Sequence, residues 1–284
     1  MTYAVTGASG PLGGLAVEAL LERGVPAGEI VAIVRDPDKA AGLAARDVQV
    51  RRGDYSEPGS LATALDGVDR LLLVSGSEVG RRVAQHGNVI DAARAAGVGR
   101  IVYTSLPRAD TSSLPLAPEH KATEELLAAA DVATTVLRNN WYAENYTART
   151  AEYVERGAIL SATGDGRIGL ATRADYAAAA AAALVDDSHA GRTYELAGPP
   201  VTLGDLAAAI TEVTGRTVVH TSVTPAELVA TLTGAGLDEG TAQFVGALDE
   251  GISRGDLDVD STDLVALVGR PSTPLVEAVR AALG

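Results

Sequence analysis

A glycine-rich motif near the start of the chain limits the folds that this sequence can adopt. It reads Thr6-Gly7-Ala8-Ser9-Gly10-Pro11-Leu12-Gly13, at the end of a strand-like run and the start of a helical pattern. In such a strand–turn–helix the first glycine permits the tight turn, the second lets the backbone approach a phosphate, and the third allows close helix packing. N–H groups at the helix start can then bind phosphate oxygens. The motif predicts a dinucleotide site; a glycine-rich turn without a ligand is the alternative.

Short apolar runs alternate with alanine-rich helical stretches through the first half of the chain. The predicted strands are Tyr3–Thr6, Ile30–Val34, Val48–Arg51, Arg70–Val74, Arg100–Thr104 and Thr134–Leu137. The predicted helices are Leu12–Glu22, Asp38–Ala45, Pro58–Leu65, Gly80–Ala96 and Glu119–Ala129. Continuous apolar strands are typical of a sheet that is buried on both faces. The order indicates an α/β fold with a Rossmann-type, doubly wound parallel sheet.

This alternation weakens after about residue 140. Strands are predicted at Tyr194–Leu196 and Val218–His220, and helices at Ala177–Ala183, Leu203–Val213, Pro225–Leu232, Gly240–Gly251 and Leu275–Ala282. No proline- or serine-rich linker marks a boundary. We therefore predict a dinucleotide-binding domain over residues 1–140 and a smaller, mostly helical lobe over residues 141–284, with some of its strands rejoining the main sheet.

The composition excludes several classes of function. The sequence has no cysteine, which rules out disulfides, thiolate metal sites and cysteine nucleophiles, and we expect no metal centre. A formal net charge of −14 disfavours nucleic acid and anionic membrane surfaces as partners. No apolar run is long enough to span a membrane, and we expect no secretion signal. We expect a soluble cytoplasmic protein; the sequence does not distinguish a monomer from a homodimer.

The side chain at the end of the second predicted strand determines whether the site favours NAD or NADP. An acidic side chain there binds the ribose 2′-hydroxyl of NAD, whereas an arginine accommodates the 2′-phosphate of NADP. The strand Ile30–Val34 is followed by Arg35, with Lys39 one turn later, so the sequence favours NADPH. Asp36 and Asp38 stand alongside, and an exposed Arg–Asp surface pair is the alternative.

Polar and small residues follow the other predicted strands, at the edge where parallel sheets bind their ligands. They are Asp54, Ser75, Gly76, Ser77, Thr104, Ser105, Arg138, Asn139 and Asn140. We expect Asp54 near the adenine amino group, the segment Ser75–Ser77 near the ribose and pyrophosphate, and the later residues near the nicotinamide. Each of them also has an ordinary interpretation in turns or helix caps.

The catalytic pair of typical short-chain dehydrogenases is missing. These enzymes place a serine after the fifth strand and a Tyr-x-x-x-Lys on the next helix, and the tyrosine exchanges a proton with the substrate oxygen. Ser105 is present here, but His120 and Glu124 occupy that helical spacing. This argues against alcohol–ketone chemistry and allows hydride transfer to an acceptor whose reduced form is a stable anion, such as a quinone. The catalytic candidates are Asn140, Ser105 and His120; a capping or surface role is the alternative for His120.

Aromatic residues cluster after the sixth strand. Trp141, Tyr142 and Tyr146 lie close together, although the whole chain has one tryptophan and one phenylalanine. Flat rings at the nicotinamide end suit a flat aromatic acceptor. A small satellite core under the second lobe is the alternative.

Four segments of the chain resemble one family. They are Leu71–Gly80, Tyr103–Leu106, Leu137–Tyr146 and Ala171–Tyr176. They resemble the type 2 NAD(P)H:quinone oxidoreductases among the NmrA-like atypical short-chain dehydrogenases. The resemblance runs from the first strand to the C-terminal helix, and that family also lacks the tyrosine–lysine pair.

The resemblance implies both a cofactor and a substrate pocket. It implies that NADPH is held by the glycine loop, Arg35, the segment Ser75–Ser77 and the turn of Arg138, Asn139, Asn140, Trp141 and Tyr142. It further implies a substrate pocket that includes Thr172 and Arg173. We therefore predict a flavin-independent reductase that passes a hydride from NADPH to a quinone-like acceptor. Two alternatives stay open: reduction of triarylmethane dyes, and a non-catalytic NADP(H) sensor of the kind that occurs among NmrA-like proteins.

Overall fold

Seven parallel strands form the central sheet of the computed structural model, which describes residues 1–284. The strands of the chain are β1 Tyr3–Thr6, β2 Ile30–Val34, β3 Gln49–Arg52, β4 Arg70–Leu73, β5 Arg100–Ser105, β6 Ala133–Asn139, β7 Ala158–Ser161, β8 Thr193–Leu196 and β9 Val219–Ser222. The sheet has the order β3-β2-β1-β4-β5-β6-β8, and β7 pairs separately with β9. This order confirms the predicted Rossmann-type, doubly wound sheet.

Helices cover both faces of the sheet and build the C-terminal lobe. They are α1 Pro11–Glu22, α2 Ala41–Ala44, α3 Pro58–Ala64, α4 Arg82–Ala95, α5 Ala117–Ala129, α6 Glu144–Thr147, α7 Thr150–Arg156, α8 Arg173–Val185, α9 Leu203–Thr214, α10 Pro225–Gly234, α11 Glu239–Ser253, α12 Asp263–Val268 and α13 Leu275–Ala281. Helices α1, α8 and α12 pack on one face, and α3, α4 and α5 pack on the other. A third core lies in the C-terminal lobe, among α7, α9, α11 and α13. None of these helices combines the length and the apolar character that crossing a membrane requires.

The second half departs from the predicted elements in several places. Strand β7 and the helices α6, α7 and α12 have no counterpart in the prediction, and β9 lies one to two residues later than predicted. These elements are short, so their periodicity is weak, and β7 exists only because it pairs with the distant β9. Strand β8 rejoins the main sheet beside β6, as predicted for strands of the second half. The domain boundary at residue 140 stays a prediction.

Two buried arginines hold α8 against the sheet. Arg100 donates hydrogen bonds to the Ala183 and Leu184 carbonyl oxygens, each at 2.6 Å, and Arg70 donates to the Leu184 and Val185 carbonyls at 2.9 and 2.7 Å. Cations are favourable at a helix C-terminus, where carbonyl groups are unpaired. Because these arginines begin β4 and β5, the end of α8 lies at the amino ends of the strands. The start of α8 is thereby directed to the carboxyl edge of the sheet.

Candidate active site

The glycine motif forms the turn between β1 and α1, on the wall of a cleft of about 520 Å³. Gly7 has a φ of +60°, and the Gly10 N–H donates to the Gly7 carbonyl at 2.8 Å. A Cβ atom added at Gly13 would lie 2.3 Å from the Gly7 oxygen, so a larger residue would push α1 away from the turn. No side chain caps the start of α1, which leaves its N–H groups available to an anion. This cradle fits a pyrophosphate.

The cleft lies at the carboxyl edge of the sheet, where the strand order reverses between β1 and β4. The predicted cofactor residues that line it are Gly7, Ser9, Gly10, Pro11, Leu12, Gly13, Arg35, Asp54, Ser75, Gly76, Ser77, Thr104 and Tyr142. Arg173, which was predicted for the substrate pocket, lines the same cleft. The predicted residues that do not line it are Ala8, Ser105, His120, Arg138, Asn139, Asn140, Trp141, Tyr146 and Thr172.

Arg35 and Lys39 supply positive charge where β2 ends. The Arg35 side chain is 71% exposed, and its Nη1 atom lies 3.4 Å from Glu78 Oε1. The alternative, an exposed pair of Arg35 with Asp36 or Asp38, does not form, because Arg35 pairs with Glu78. The Asp36 carboxylate instead accepts the Asp38 N–H at 3.2 Å. An exposed ion pair of this length contributes little stability, so Arg35 can exchange Glu78 for a phosphate.

Tyr55, which sequence reasoning missed, follows Asp54 in the cleft wall. Its hydroxyl lies 2.5 Å from Thr6 Oγ1 and 2.8 Å from the Val74 carbonyl oxygen, and so links the ends of β1 and β4. Burial raises the pKa of Tyr55, which keeps the hydroxyl protonated. Asp54 Oδ1 accepts the Ser56 N–H at 2.8 Å, and the other carboxylate oxygen has no partner in the protein. The only available signal for Tyr55 was its place directly after a strand-end residue.

Side chains of α4 bind both backbone polar groups of Gly76. Its N–H donates to His86 Nε2 at 3.0 Å, and its carbonyl oxygen accepts a hydrogen bond from Arg82 Nε at 2.9 Å. Helix α5 completes the clamp, because Arg82 pairs with Glu119 at 2.6 Å and His86 Nδ1 lies 3.0 Å from Thr123 Oγ1. Burial lowers the pKa of His86 to about 3, so the ring is neutral and Nε2 can accept. Sequence reasoning missed this clamp because it depends on how α4 and α5 pack beside the turn after β4, which the order of residues along the chain does not show.

Ser105 and His120 are engaged elsewhere in the structure. Ser105 donates to Glu124 Oε1 at 2.6 Å, and the same carboxylate pairs with Arg138 at 2.7 Å. His120 is only 6% exposed, and its Nδ1 atom lies 2.8 Å from the Tyr103 hydroxyl. Burial lowers the pKa of His120 to about 3, so it is a neutral core histidine at neutral pH. A catalytic role for Ser105 or His120 therefore stays a prediction that their positions do not support.

The turn after β6 divides its side chains between the cleft and the C-terminal lobe. The Asn140 side chain donates to the Leu257 carbonyl at 3.1 Å and accepts the Trp141 N–H at 2.8 Å, so its amide is used within the protein. Trp141 and Tyr146 are partly buried against the core of the C-terminal lobe, as in the alternative interpretation of the aromatic cluster. Tyr142 faces the cleft. Neighbouring residues of one motif thus have separate surroundings.

The start of α8 lies beside Tyr142. Thr172 caps this helix by accepting the Asp175 N–H at 3.1 Å. The guanidinium carbon of Arg173 stands 4.7 Å from the centroid of the Tyr142 ring, a cation–π contact. Arg173 Nη2 also donates to Asn145 Oδ1 at 2.8 Å, and Nη1 lies 3.6 Å from Glu144 Oε2. Arg173 is thereby held in one position at the wall of the cleft.

An apolar cavity of about 210 Å³ adjoins the residues that follow Tyr142 and precede α8. It is lined by Ala143, Leu170, Ala171, Pro199, Val201, Ser272, Thr273, Pro274, Leu275 and Ala278. The residue types offer contact area to an apolar group and few polar partners. No three His, Asp or Glu side chains in the protein are grouped in a way that could hold a metal ion.

A glycine cradle at the reversal point of a doubly wound sheet defines a dinucleotide-binding protein. The sequence agrees, because residues 7–187 match the family model described as NAD(P)H-binding. Quinone oxidoreductase 2 of Escherichia coli is 49% identical over 277 residues, which are 97% of this chain and 96% of that protein. The crystal structure of that NADPH-dependent enzyme with NADPH superimposes with a TM-score of 0.96 and 48% identity over 100% of both chains.

A second group of relatives is more distant. The Citrobacter triphenylmethane reductase structure with NADP(H) is 41% identical, with a TM-score of 0.94, over 99% of this chain and 100% of that one. An NAD(P)H azoreductase of Xenophilus azovorans is 29% identical over 98% of this chain and 96% of that protein. The chain belongs to the NmrA-like family of NAD(P)H-binding proteins that includes quinone oxidoreductase 2, which confirms the resemblance found in its sequence.

Proposed function

We propose that this protein is an NADPH-dependent reductase that transfers a hydride directly to a quinone-like acceptor, without a flavin. The observation that carries the proposal is the match over nearly the whole chain to an NADPH-dependent quinone oxidoreductase, at 49% identity. It is supported by a cleft whose glycine cradle and strand-end residues suit a dinucleotide. NADPH supplies the hydride from its nicotinamide ring when it is bound.

The polar groups along the cleft suggest how the cofactor would be held. Arg35 and Lys39 would bind the 2′-phosphate through charge-assisted hydrogen bonds, and the free N–H groups of α1 would bind the pyrophosphate. The segment Ser75–Ser77, fixed by the Gly76 clamp, would contact the ribose. Asn139 does not line the cleft, so it would act on the cofactor site only through Tyr142, whose hydroxyl lies 3.5 Å from Asn139 Nδ2.

The nicotinamide end of the cleft would then lie at Thr104, Tyr142 and Arg173. There the protein would hold the acceptor ring against the reacting face of the cofactor and exclude water. Trp141, Tyr146 and Thr172 do not line the cleft, so they would support the acceptor site from the C-terminal lobe and the helix cap behind it, without contacting the acceptor.

A flavin-free assay tests the proposal directly. Purified protein without flavin absorbance is mixed with NADPH and a benzoquinone, and the nicotinamide absorbance is followed. We expect one NADPH consumed for each quinone reduced, and a lower kcat/KM with NADH than with NADPH. The absence of protein-dependent NADPH oxidation with each of several quinones would contradict the proposal.

Reduction of triarylmethane dyes is the second candidate function, because the Citrobacter reductase covers nearly all of the chain at 41% identity. The same assay with a triarylmethane dye separates the two acceptors: we expect a higher kcat/KM for quinones. A higher value for the dye would reverse that order. The likeness to NmrA itself, at 17% identity and a TM-score of 0.78, concerns the fold alone and does not favour a sensor.

A further inference from the structure

Two tyrosines line the cleft, and their hydroxyl groups differ in their hydrogen bonds. The Tyr55 hydroxyl has the Val74 carbonyl as an acceptor at 2.8 Å. The Tyr142 hydroxyl has one polar neighbour, Asn139 Nδ2 at 3.5 Å, and this amide donates to it. The proton of Tyr142 is therefore not used by any acceptor within the protein. An unused hydroxyl donor on a cleft wall is available to a ligand.

The surroundings of Tyr142 keep its hydroxyl protonated, and two of its neighbours would stabilise the phenolate that remains after proton transfer. Burial is the largest effect and raises the pKa of Tyr142, so the hydroxyl is protonated at neutral pH. The Asn139 amide and the Arg173 guanidinium act in the opposite direction, because each stabilises the phenolate. The Glu144 carboxylate raises the pKa. Below the ring, Tyr176 packs edge-on at 5.4 Å between centroids, and its own hydroxyl donates to the Gly169 carbonyl at 3.3 Å.

The three catalytic candidates predicted from the sequence are engaged elsewhere in the protein. Ser105 donates to Glu124, the His120 ring bonds Tyr103, and the Asn140 amide bonds Leu257. Arg173 is the charged residue on the side of the cleft that Thr104 forms. Its backbone belongs to α8, and its guanidinium group donates a hydrogen bond to Asn145. A tyrosine next to a cation is therefore present here, although the Tyr-x-x-x-Lys pattern is absent from the helix after β5.

We propose that Tyr142 is the proton donor to the reduced acceptor and that Arg173 is its positioning cation. The proposal rests on the proposed function. The hydride brings two electrons and one hydrogen to the quinone, which becomes the hydroquinone monoanion. The Tyr142 O–H bond then breaks, the proton forms an O–H bond to the anionic oxygen, and the resulting phenolate recovers a proton from water. Atoms and charge balance without a further oxidant or reductant.

The Tyr142→Phe variant tests this role, because it keeps the ring and its contact with Arg173 and removes only the hydroxyl. A proton donor matters most when the reduced oxygen is strongly basic. We expect kcat to fall about ten- to a hundredfold with electron-rich, alkyl-substituted quinones, up to the lower limit of the range typical of general acid catalysis. With electron-poor halogenated quinones, whose monoanions are stable, we expect a decrease of less than about threefold.

Tyr3→Phe is the matched control. Tyr3 also has an arginine over its ring, with the Arg70 guanidinium carbon 5.8 Å from the centroid, but it lies at the amino end of β1, opposite the cleft. We expect this variant to reduce both kinds of quinone at the wild-type rate. An equal decrease for both kinds of quinone in Tyr142→Phe would show that the hydroxyl has a structural role, and would overturn the proposal.

A binding measurement gives a second readout that does not depend on turnover. Para-nitrophenolate serves as a probe for the hydroquinone oxyanion, and its visible absorbance reports the bound ionic form. With NADP⁺ present, we expect wild-type protein to bind it at least about tenfold more tightly than Tyr142→Phe does, the loss typical of one hydrogen bond to a charged group. Equal affinity would overturn the proposal. Wild-type protein that reduces no quinone would instead contradict the proposed function, so the two failures are distinguishable.

Discussion

Arg35 and Glu78 face each other at the cleft, with Arg35 Nη1 and Glu78 Oε1 3.4 Å apart. They follow β2 and β4, the two strands that flank β1 and its glycine turn. Arg35 is therefore opposed by a carboxylate that belongs to the same binding site. A bound 2′-phosphate would compete with Glu78 for the guanidinium group.

We expect replacement of Arg35 to raise the KM for NADPH and to leave the KM for NADH nearly unchanged. Loss of a charge-assisted contact of ~1.5–3 kcal/mol corresponds to a roughly ten- to hundredfold increase in the KM for NADPH. The KM for NADH is expected to stay near the wild-type value in Arg35→Ala, because NADH lacks the 2′-phosphate. Steady-state kinetics with both cofactors measure this. Arg81→Ala is the matched control, since Arg81 also pairs with Glu78, at 3.3 Å, and does not line the cleft. Equal effects of Arg35→Ala on both cofactors would show a structural role.

The contact between Gly13 and Gly7 predicts that a single methyl group damages the cradle. In Gly13→Ala the new Cβ would lie 2.3 Å from the Gly7 oxygen, so α1 has to move away from the turn. We expect a loss of ~1–3 kcal/mol in the free energy of unfolding, and weaker NADPH binding. Urea unfolding and a cofactor titration measure the two effects. At Gly59, in α3, an added Cβ meets nothing within 4 Å, so Gly59→Ala is the control and should leave NADPH binding unchanged. Wild-type affinity in Gly13→Ala would show that the cradle tolerates the shift.

We expect the free energy of unfolding to decrease in mild acid, because two histidines are buried in the folded protein. Burial lowers the pKa of His86 and of His120 to about 3 in the folded protein, whereas histidine in an unfolded chain titrates near about 6.5. As the pH falls below the unfolded value, the unfolded chain binds protons that the folded chain does not, so unfolding is favoured. Between pH of about 7.5 and about 5.5 we expect the free energy of unfolding to decrease by up to about 2.5 kcal/mol from this pair.

Urea unfolding at these two pH values measures the decrease. The double variant His86→Gln, His120→Gln removes both titrating rings and should lose most of the pH dependence, even if its stability is lower overall. The same slope in the double variant would assign the effect to other groups.

Trp141 is expected to act mainly on stability. The ring packs against the core of the C-terminal lobe, so Trp141→Ala should lower the free energy of unfolding by ~3 kcal/mol, measured by urea unfolding. The Kd for NADPH should stay near wild type, because Trp141 does not line the cleft. A higher Kd for NADPH in a folded variant would contradict this placement. The fluorescence of this single tryptophan tests separately whether Trp141 contacts the acceptor. If a quinone quenches this fluorescence only by collision, Trp141 is not part of the acceptor site.

Local patterns in the sequence were enough to predict the sheet and much of the cleft wall. The glycine spacing and the buried apolar strands predicted the Rossmann-type sheet, and Arg35, Asp54 and Ser75–Ser77 were found because they follow strands. This reasoning works because parallel strands have all their carboxyl ends at one edge, so position along the chain determines position in the sheet. Elements as short as β7 escaped it, since they depend on distant partners.

Side-chain surroundings were decided only by the tertiary structure. Sequence reasoning treated Trp141 and Tyr142 as one aromatic wall, but the backbone turn sends the first to a core and the second to the cleft. His120 had the spacing of a catalytic residue, yet packing buries it against Tyr103 as a neutral ring. Tyr142 meets Arg173 because α8 packs on the sheet, with its end held by two arginines at the opposite edge. The sequence by itself determined which residues reach the carboxyl edge. Packing between distant segments decided which of them face a ligand, because burial and nonlocal hydrogen bonds set the charge and accessibility of each group.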